Sequence, residues 1–276
     1  MPLAYLVESF CSLPRTTRKP LWRALHALLT RLDRDRTTTF LNYGFAYPDG
    51  ESPDLGLSPA EQKDRHAIQL YHYATRSALL HGARVLEVGC GRGGGAAFLA
   101  RRHAPAEYVA MDISASTAAL CSRLHRVRGL SFTHGEAEQL PFPADRFDVV
   151  VNIESARAYG SLGAFFGEVY RVLAPGGVLL FADMFEAADV GRATDLLSHA
   201  GFETTHAEDI RPNVVLAMQR DSDARRALID AKIPAWLRAG FYELSGVTGS
   251  NRYRDFEQGR FAYWRFEATK PVGGAP

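Results

Sequence analysis

Residues 84–95, RVLEVGCGRGGG, lead from an apolar strand-like run into a glycine-rich turn and then towards a helix. Glycines alternate at Gly89, Gly91 and Gly93, which lets the backbone turn sharply and approach a ligand where a Cβ atom would intrude. The free N–H groups of the helix start favour an anionic group. The stretch therefore predicts a cofactor site. Because Gly89-x-Gly91-x-x-Gly94 also satisfies the dinucleotide fingerprint, the loop alone does not distinguish a nicotinamide cofactor from other adenosine-containing ones.

Beyond this loop, the sequence from residue 83 onward alternates between strand-length apolar runs and helix-length segments. The apolar runs lie at 84–88, 107–111, 147–153, 178–182, 202–207 and 261–266. Such alternation predicts an α/β fold with a parallel sheet and helices on its faces. Residues 211–256 are mostly helical in pattern and interrupt the alternation before the last strand.

The composition is that of one large soluble domain. The chain has 276 residues, of which 46% are hydrophobic and 23% charged, and its net charge is +1. That balance argues against nucleic acid as a partner. The cysteines Cys11, Cys90 and Cys121 have no Cys-x-x-Cys spacing, so we expect neither a disulfide scaffold nor a metal site. No apolar run approaches the roughly 20 residues of a membrane span, and we expect a cytoplasmic protein.

The N-terminal residues carry one amphipathic segment, LWRALHALLTRL at 21–32. Its apolar residues recur at helical spacing with arginines between them. The favoured interpretation is a helix whose apolar stripe packs on the main domain; contact with an anionic membrane surface is the alternative. A homodimer is likewise left open beside a monomer.

Acidic residues follow three of the predicted strands. Asp112, in YVAMDIS, ends the second strand about 20 residues after the loop, where a carboxylate accepts hydrogen bonds from ribose hydroxyls. Glu136 and Glu138, in GEAEQLPF, follow a third strand, which lies between the runs at 107–111 and 147–153. One of the two carboxylates could accept from an adenine amine there. Glu154 ends the fourth strand and would face either a cofactor ammonium group or an acceptor.

Together with VYRVLAPGGVLLF at 169–181, these motifs resemble the class I S-adenosylmethionine-dependent methyltransferases. The resemblance covers about 83–210 and the terminal strand. It implies S-adenosylmethionine as cofactor, S-adenosylhomocysteine as product, and a Rossmann-like seven-stranded sheet whose last strand is antiparallel. We accordingly predict three parts: an N-terminal helical lid at 1–80, a cofactor-binding core at 81–210 and 257–270, and a helical cap at 211–256 over an acceptor pocket.

A closer resemblance includes FLNYGF, QLYHYAT and NIESARAY, which are similar to the phthiotriol dimycocerosate methyltransferase group. That resemblance implies a small, largely apolar natural-product or lipid-like acceptor. In that group we expect a histidine as general base after the fourth strand, where this sequence has Arg157. A guanidinium stays protonated and cannot serve as a base, but it could bind a carboxylate or phosphate of the substrate.

Three sets of candidate site residues follow. The cofactor-binding candidates are Tyr43, Glu87, Gly89, Cys90, Gly91, Gly93, Asp112, Ile113, Gly135, Glu136, Ala137 and Asn152. The catalytic candidates are His72, Glu154, Arg157 and Tyr159, with His72 the preferred base because it can accept a proton near neutral pH. The acceptor-pocket candidates are Tyr71, Met184, Trp236, Phe241 and Tyr242.

The favoured function is methyl transfer to oxygen. A C- or N-methyltransferase of the same fold is the alternative, in which Glu154 takes a proton from carbon or no base is needed. A nicotinamide-dependent reductase is more distant, since Glu87, the Pro-Gly-Gly turn and the reversed last strand argue against it. A non-catalytic cofactor-binding module is the fourth interpretation.

Overall fold

The computed structural model describes residue 33 and residues 35–273. The amphipathic segment at 21–32 lies outside the described residues. The strands are β1 (Arg84–Val88), β2 (Glu107–Asp112), β3 (Leu130–His134), β4 (Phe147–Ile153), β5 (Leu173–Glu186), β6 (Glu203–Asp209) and β7 (Phe261–Thr269). The α-helices of this part are α1 (Arg65–Thr75), α2 (Gly94–His103), α3 (Ala115–Leu124), α4 (Leu162–Val172), α5 (Val190–His199), α6 (Arg211–Lys232), α7 (Ala235–Ser245) and α8 (Asn251–Glu257).

The seven strands form one sheet in the order β3-β2-β1-β4-β5-β7-β6. Neighbours from β3 to β5 are parallel, whereas β7 runs antiparallel to both β5 and β6. This arrangement confirms the predicted seven-stranded sheet with a reversed last strand. Because β1 and β4 are adjacent and their connections lead to opposite directions along the sheet, their carboxyl ends meet at the topological switch point, where such folds bind ligands.

The core lies on both faces of the sheet, because successive side chains of a strand point to opposite faces. Val149 and Val151 of β4 pack on one face with α1 and α2, and Val150 packs on the other with α4. In β5, Leu180 packs on the face of Val149 and Val151, and Leu179 packs on the face of Val150. Burial on both faces explains why these strands read as continuous apolar runs.

Three of the helices have a serine as their N-cap residue. Ser114, Ser161 and Ser250 each accept a hydrogen bond from a backbone N–H three residues later, at the starts of α3, α4 and α8. These N-caps satisfy donors that the first helical turn leaves without a partner. They fix where the chain turns from each loop into the helix that covers the sheet.

Two further regions lie over the carboxyl edge of the sheet. Residues 35–61 are irregular and cross from the glycine loop towards α6, and we call residues 35–45 the strap. Helices α6 and α7 have a small apolar core of their own, made by Ile229, Ile233, Leu237, Phe241 and Val247. The limits of lid, core and cap given above stay predictions. Over the described residues, no helix combines the length and the apolar character that crossing a bilayer requires.

Candidate active site

A first cavity of about 940 Å3, counted with its open mouth, lies at the carboxyl ends of β1, β2 and β4. Its lining comprises 39–42, Tyr71, 88–92, 111–113, Gly135, Ala137, Glu138, 153–155 and 157–159. The strap therefore closes one side of a cavity whose floor is the glycine loop. This is the edge at which the sequence predicted a cofactor.

Two glycines of the loop explain its shape. Gly89 has φ +79° and a Cβ atom there would overlap the side chain of Ser155, so the loop packs directly against the residues after β4. Gly91 has φ +52° and nothing within 4 Å of the position of a Cβ atom, so the backbone itself forms the wall of the cavity. A bulky ligand can therefore contact the peptide groups of the loop directly.

Asp112 lies at the end of β2 and also lines the first cavity. Its carboxylate accepts hydrogen bonds from the N–H of Gly91, at 3.1 Å, and of Ser114, at 2.9 Å. Burial raises its pKa, and the two N–H groups oppose that shift. The carboxylate is thus held in a fixed position with remaining acceptor capacity for a ligand hydroxyl.

The structure corrects the prediction for Glu87, which lines neither cavity described here. The hydroxyls of Tyr71 and Tyr108 donate to its two carboxylate oxygens at 2.9 and 2.7 Å, and its side chain is fully buried. Burial raises the pKa of Glu87 to about 7, although the two tyrosine hydroxyls oppose the shift. Glu87 supports the ring of Tyr71, and Tyr71 in turn lines the first cavity rather than an acceptor pocket.

Glu154 follows β4 with φ +51°, a left-handed conformation that a non-glycine residue rarely adopts. Its Oε1 accepts from the Tyr43 backbone N–H at 2.8 Å and from the Tyr263 hydroxyl at 2.9 Å. Among the described residues, no donor lies within hydrogen-bond distance of its Oε2. Burial raises the pKa of Glu154 to about 7, while Arg157 acts in the opposite direction. A buried carboxylate with one unfilled oxygen therefore borders the first cavity.

The turn after β4 is fixed by Asn152 and Asp183. The Asn152 amide donates to Val88 O, Ser155 Oγ and Tyr159 Oη, all within 2.9 Å, so Asn152 holds the wall together without lining the cavity. Asp183 accepts from the backbone N–H groups of the residues at 156, 157 and 184. Burial raises the pKa of the Tyr159 hydroxyl, which makes it unsuited to act as a base.

A second cavity, of about 1080 Å3 with its mouth, adjoins the first below the cap. Its lining comprises Asp33, Thr38, 40–43, Arg92, Arg157, Arg225, 228–229, 232–233, Phe241 and 244–245. The two cavities share residues 40–42, Arg92 and Arg157. Of the charged residues among these lining residues, four are cations and one, Asp33, is an acid. The second cavity therefore combines apolar side chains of the cap with four cations, of which Arg225 and Lys232 belong to the cap and Arg92 and Arg157 lie at the junction.

Arg157 stands at the junction of the two cavities. Its Nη1 lies 2.7 Å from Met184 Sδ, and its guanidinium carbon lies 5.6 Å from the centre of the Tyr43 ring. Arg92, the other shared cation, forms a buried ion pair with Asp33 at 2.8 Å. Asp33 also binds Nζ of Lys232, the last residue of α6, at 2.5 Å. We call these two ion pairs of Asp33 the Asp33 bridge. The bridge ties Asp33, two residues before the strap, to both the glycine loop and the cap.

Several predicted site residues come together as expected from the sequence. Those that line the first cavity are Gly89, Cys90, Gly91, Asp112, Ile113, Gly135, Ala137, Glu154, Arg157 and Tyr159. Phe241, which was predicted for the acceptor pocket, lines the second cavity. Tyr43 also lines the second cavity, although it was predicted for the cofactor.

The structure corrects the prediction that His72 is the base. His72 lines neither cavity, and its pKa is lowered by burial and by Arg102 and His103 of α2. The neighbouring Tyr71 occupies the side of α1 that faces the first cavity. Because adjacent helical residues point about 100° apart, His72 is directed elsewhere.

Other predicted residues also lie away from the two cavities. The indole of Trp236 is 78% exposed, and the Tyr242 hydroxyl donates to Asp230 on the outside of the cap. Met184 lines a third cavity, which Arg157 also borders. Gly93 caps α2, and Glu136 lies outside the lining of the first cavity.

The strap residues 39–42 and the cations Arg92 and Arg225 line the cavities but are absent from the site residues predicted from the sequence. The motif FLNYGF at 40–45 was the available signal for the strap. Nothing in the local sequence indicates that Arg225 reaches the cavity, because its position depends on how α6 packs over the strap.

Comparison with known proteins identifies a matching family and relatives of the chain. A family model described as a methyltransferase domain matches residues 86–181. The chain is 38% identical over 218 residues to a fatty-acid O-methyltransferase of Mycolicibacterium smegmatis, covering 78% of each protein. It is 35% identical over 255 residues to a phthiotriol/phenolphthiotriol dimycocerosates methyltransferase of Mycobacterium tuberculosis, covering 92% of this chain and 94% of that protein.

Among solved structures, the [4+2]-cyclase SpnF has the same fold. It superposes with a TM-score of 0.69 at 23% identity, over 91% of this chain and 95% of the cyclase. The glycine loop, the buried acid after β2 and the reversed last strand agree with these similarities. The chain therefore belongs to the class I S-adenosylmethionine-dependent methyltransferases and is related to the fatty-acid and phthiotriol dimycocerosates methyltransferases.

Proposed function

We propose that this enzyme transfers a methyl group to a carboxylate oxygen of a lipid-like acceptor that occupies the second cavity. The observation that carries the proposal is Arg157, a permanent cation at the junction of the two cavities. A carboxylate bound there would place its oxygen next to the first cavity, while an apolar tail extends towards Phe241 and the other apolar residues of the cap.

The relatives support an acceptor of this class. One is named a fatty-acid O-methyltransferase, and the others act, by their names, on phthiotriol and phenolphthiotriol dimycocerosates. Both kinds of acceptor are lipid-like. No observation on the described residues favours a carbon or nitrogen acceptor over oxygen.

The first cavity fits the cofactor. Three observations support this assignment: open space at the Cβ position of Gly91 lets a ligand approach the backbone, Asp112 has acceptor capacity for ribose hydroxyls, and Ala137, predicted for the adenine, lines the same cavity. When bound, S-adenosylmethionine supplies a methyl group on a sulfonium. The residues of the chain contribute orientation and the exclusion of water by the strap.

A carboxylate acceptor explains why Arg157 can replace a histidine. An ordinary carboxylic acid has a pKa of about 4 and is already ionised near neutral pH, so no base is needed. Among the described residues that line the two cavities, none is a histidine. A bidentate pair with Arg157 would instead hold the acceptor in a fixed orientation.

A hydroxyl acceptor is the second candidate, and one observation favours it. Glu154 has its pKa raised to about 7 and could accept a hydroxyl proton near neutral pH. However, Glu154 lines the first cavity and is absent from the lining of the second. We therefore favour the carboxylate.

An acceptor comparison tests this choice. The enzyme is incubated with S-adenosylmethionine carrying a labelled methyl group and with either a long-chain fatty acid or the fatty alcohol of the same chain length. We expect a labelled methyl ester from the acid, released again by mild alkali, and at least about tenfold less product from the alcohol. Formation of an alkali-stable ether from the alcohol at a higher rate would contradict the carboxylate proposal and favour the hydroxyl candidate.

The assignment of Asp112 to the ribose predicts a loss of cofactor affinity on substitution. Asp112→Ala is expected to weaken binding of S-adenosylhomocysteine by about 1.5–3 kcal/mol, the range for hydrogen bonds to a charged group. Titration calorimetry gives the dissociation constant. Asp148→Ala is the control, because Asp148 pairs with Arg84 outside the first cavity. Equal affinity of the two variants would show that the ribose is bound elsewhere.

A further inference from the structure

No described residue of the protein accounts for the unfilled oxygen of Glu154. The side chain is 7% exposed, and buried polar atoms in native proteins almost always have a hydrogen-bond partner. Its Oε1 is satisfied twice, whereas Oε2 has no donor among the described residues. Since Glu154 lines the first cavity, a donor supplied by a ligand of that cavity would complete it.

The backbone also holds Glu154 in this position at a cost. Its φ of +51° is a strained conformation for a residue with a Cβ atom. The Glu154 N–H donates to Ala182 O at 2.8 Å, so the residue is fixed to β5 while its side chain bonds to the strap through Tyr43. Strain of this kind persists where the surrounding structure determines it, and it is concentrated at ligand sites.

The other acids near the first cavity are already engaged. Both oxygens of Glu87 accept from tyrosine hydroxyls, and Glu87 does not line the cavity. Asp112 accepts from two backbone N–H groups, and Glu138 accepts from the Ser161 N–H at 2.6 Å. The carboxylate with an unfilled oxygen is therefore the one that follows β4, next to Ser155, which Gly89 of the loop packs against.

We propose that Glu154 binds the α-ammonium group of the cofactor's methionine end, and that Glu87, which the sequence predicted as a cofactor-binding residue, does not. The ammonium offers three donors, of which one would fill Oε2 of Glu154. The family motif places an acid two residues before the first loop glycine. In this chain that acid is Glu87, and the hydroxyls of Tyr71 and Tyr108 already donate to both of its oxygens. Glu154 is thus a binding residue for the cofactor and not a base for the acceptor.

The assignment has a consequence for pH dependence. The groups that face Glu154 are Arg157 after β4, Asp183 on β5, Tyr43 on the strap, Tyr263 on β7 and Tyr71 on α1. Burial is the largest influence on the pKa of Glu154 and raises it to about 7, while Arg157 lowers it. An ammonium bound beside it favours the ionised carboxylate. Cofactor affinity is therefore expected to rise as the pH increases from 6 to 8, and binding below pH 7 releases a proton.

The test compares two ligands by titration calorimetry. S-adenosylhomocysteine carries the ammonium, whereas 5′-methylthioadenosine keeps the adenosyl thioether and lacks the amino-acid end. Glu154→Gln is expected to weaken binding of S-adenosylhomocysteine by about 10- to 100-fold, the size of a lost charge-assisted hydrogen bond, and to abolish its rise in affinity between pH 6 and 8. Binding of 5′-methylthioadenosine stays within about twofold, which also shows that the variant is folded.

Glu107→Gln is the matched control, because Glu107 pairs with Arg146 and lines neither cavity. It should leave the pH dependence intact. Three results would overturn the proposal. Equal losses for both ligands would indicate a structural role, and a loss confined to S-adenosylmethionine would place Glu154 at the sulfonium. S-adenosylmethionine is titrated in parallel for the second of these results. Unchanged affinity for all three ligands with lost turnover would make Glu154 the base for the acceptor.

Discussion

Arg157→Met is expected to lower kcat/KM for a carboxylate acceptor by about 30- to 100-fold. Methionine has a similar length and no charge, so the change removes the charge and the two-pronged hydrogen-bonding geometry while it keeps most of the volume. Removing one partner of a desolvated charge pair costs about 2–5 kcal/mol. Because Arg157 is half-buried, the lower part of that range applies. The loss should appear mainly in KM, since Arg157 holds the acceptor before and during transfer.

Arg157→Lys is the control for Arg157→Met, because lysine keeps the positive charge but cannot form a bidentate pair. It should retain part of the activity lost in Arg157→Met. Affinity for S-adenosylhomocysteine, measured in parallel, should change little in both variants if Arg157 serves the acceptor. A methionine variant that methylates a fatty acid at the wild-type rate would exclude Arg157 as the carboxylate anchor and leave positioning to the apolar cavity alone.

Local sequence patterns predicted the sheet and the glycine loop that forms the floor of the first cavity. Strand-length apolar runs and the glycine loop are properties of short segments, and the carboxyl ends of parallel strands must meet at one edge. Asp112 was found for this reason, since its place follows from the order of the strands. Glu154 and Arg157 were found in the same way, because both follow β4 directly.

The errors concern contacts between distant segments. His72 was predicted as the base by chemical type, but the phase of α1 relative to the sheet turns Tyr71, and not His72, towards the first cavity. Glu87 was assigned to the cofactor by motif, whereas the hydroxyls that close it off come from Tyr71 on α1 and Tyr108 on β2. The sequence offers no local sign of that three-way contact. Trp236 was assigned to the pocket as an aromatic residue of the cap, yet it lies on the outer face.

The same limitation applies to the Asp33 bridge, which joins residues from three distant parts of the chain. Asp33 and Arg92 have side chains only 6% and 4% exposed, and Lys232 is 15% exposed. Thr38 also donates to Asp33 through its hydroxyl at 3.2 Å. The bridge therefore fixes the start of the strap to the glycine loop and to the end of α6, and with it one wall of both cavities.

Asp33→Ala is accordingly expected to reduce the free energy of unfolding by about 3–5 kcal/mol, because it leaves the Arg92 guanidinium buried without its carboxylate. The protein can lower this cost by releasing the strap and letting water reach Arg92. In that case the loss of stability is smaller, and the affinity for S-adenosylhomocysteine falls instead, since residues 39–42 no longer close the first cavity. Urea denaturation and calorimetry together measure both routes.

Asp35→Ala is the matched control for this prediction. Asp35 binds the same Lys232 at 2.6 Å, but its side chain is 57% exposed and it does not contact Arg92 in the structure described here. Water can replace such a partner, so neither the urea midpoint nor the cofactor affinity should change appreciably. If Asp33→Ala behaved like Asp35→Ala in both measurements, the bridge would not hold the strap in solution. Closure of the cavities would then have to come from the other contacts of the strap, which include the apolar contacts of residues 40–45, the Tyr43–Glu154 hydrogen bond and the Arg225–Tyr43 hydrogen bond.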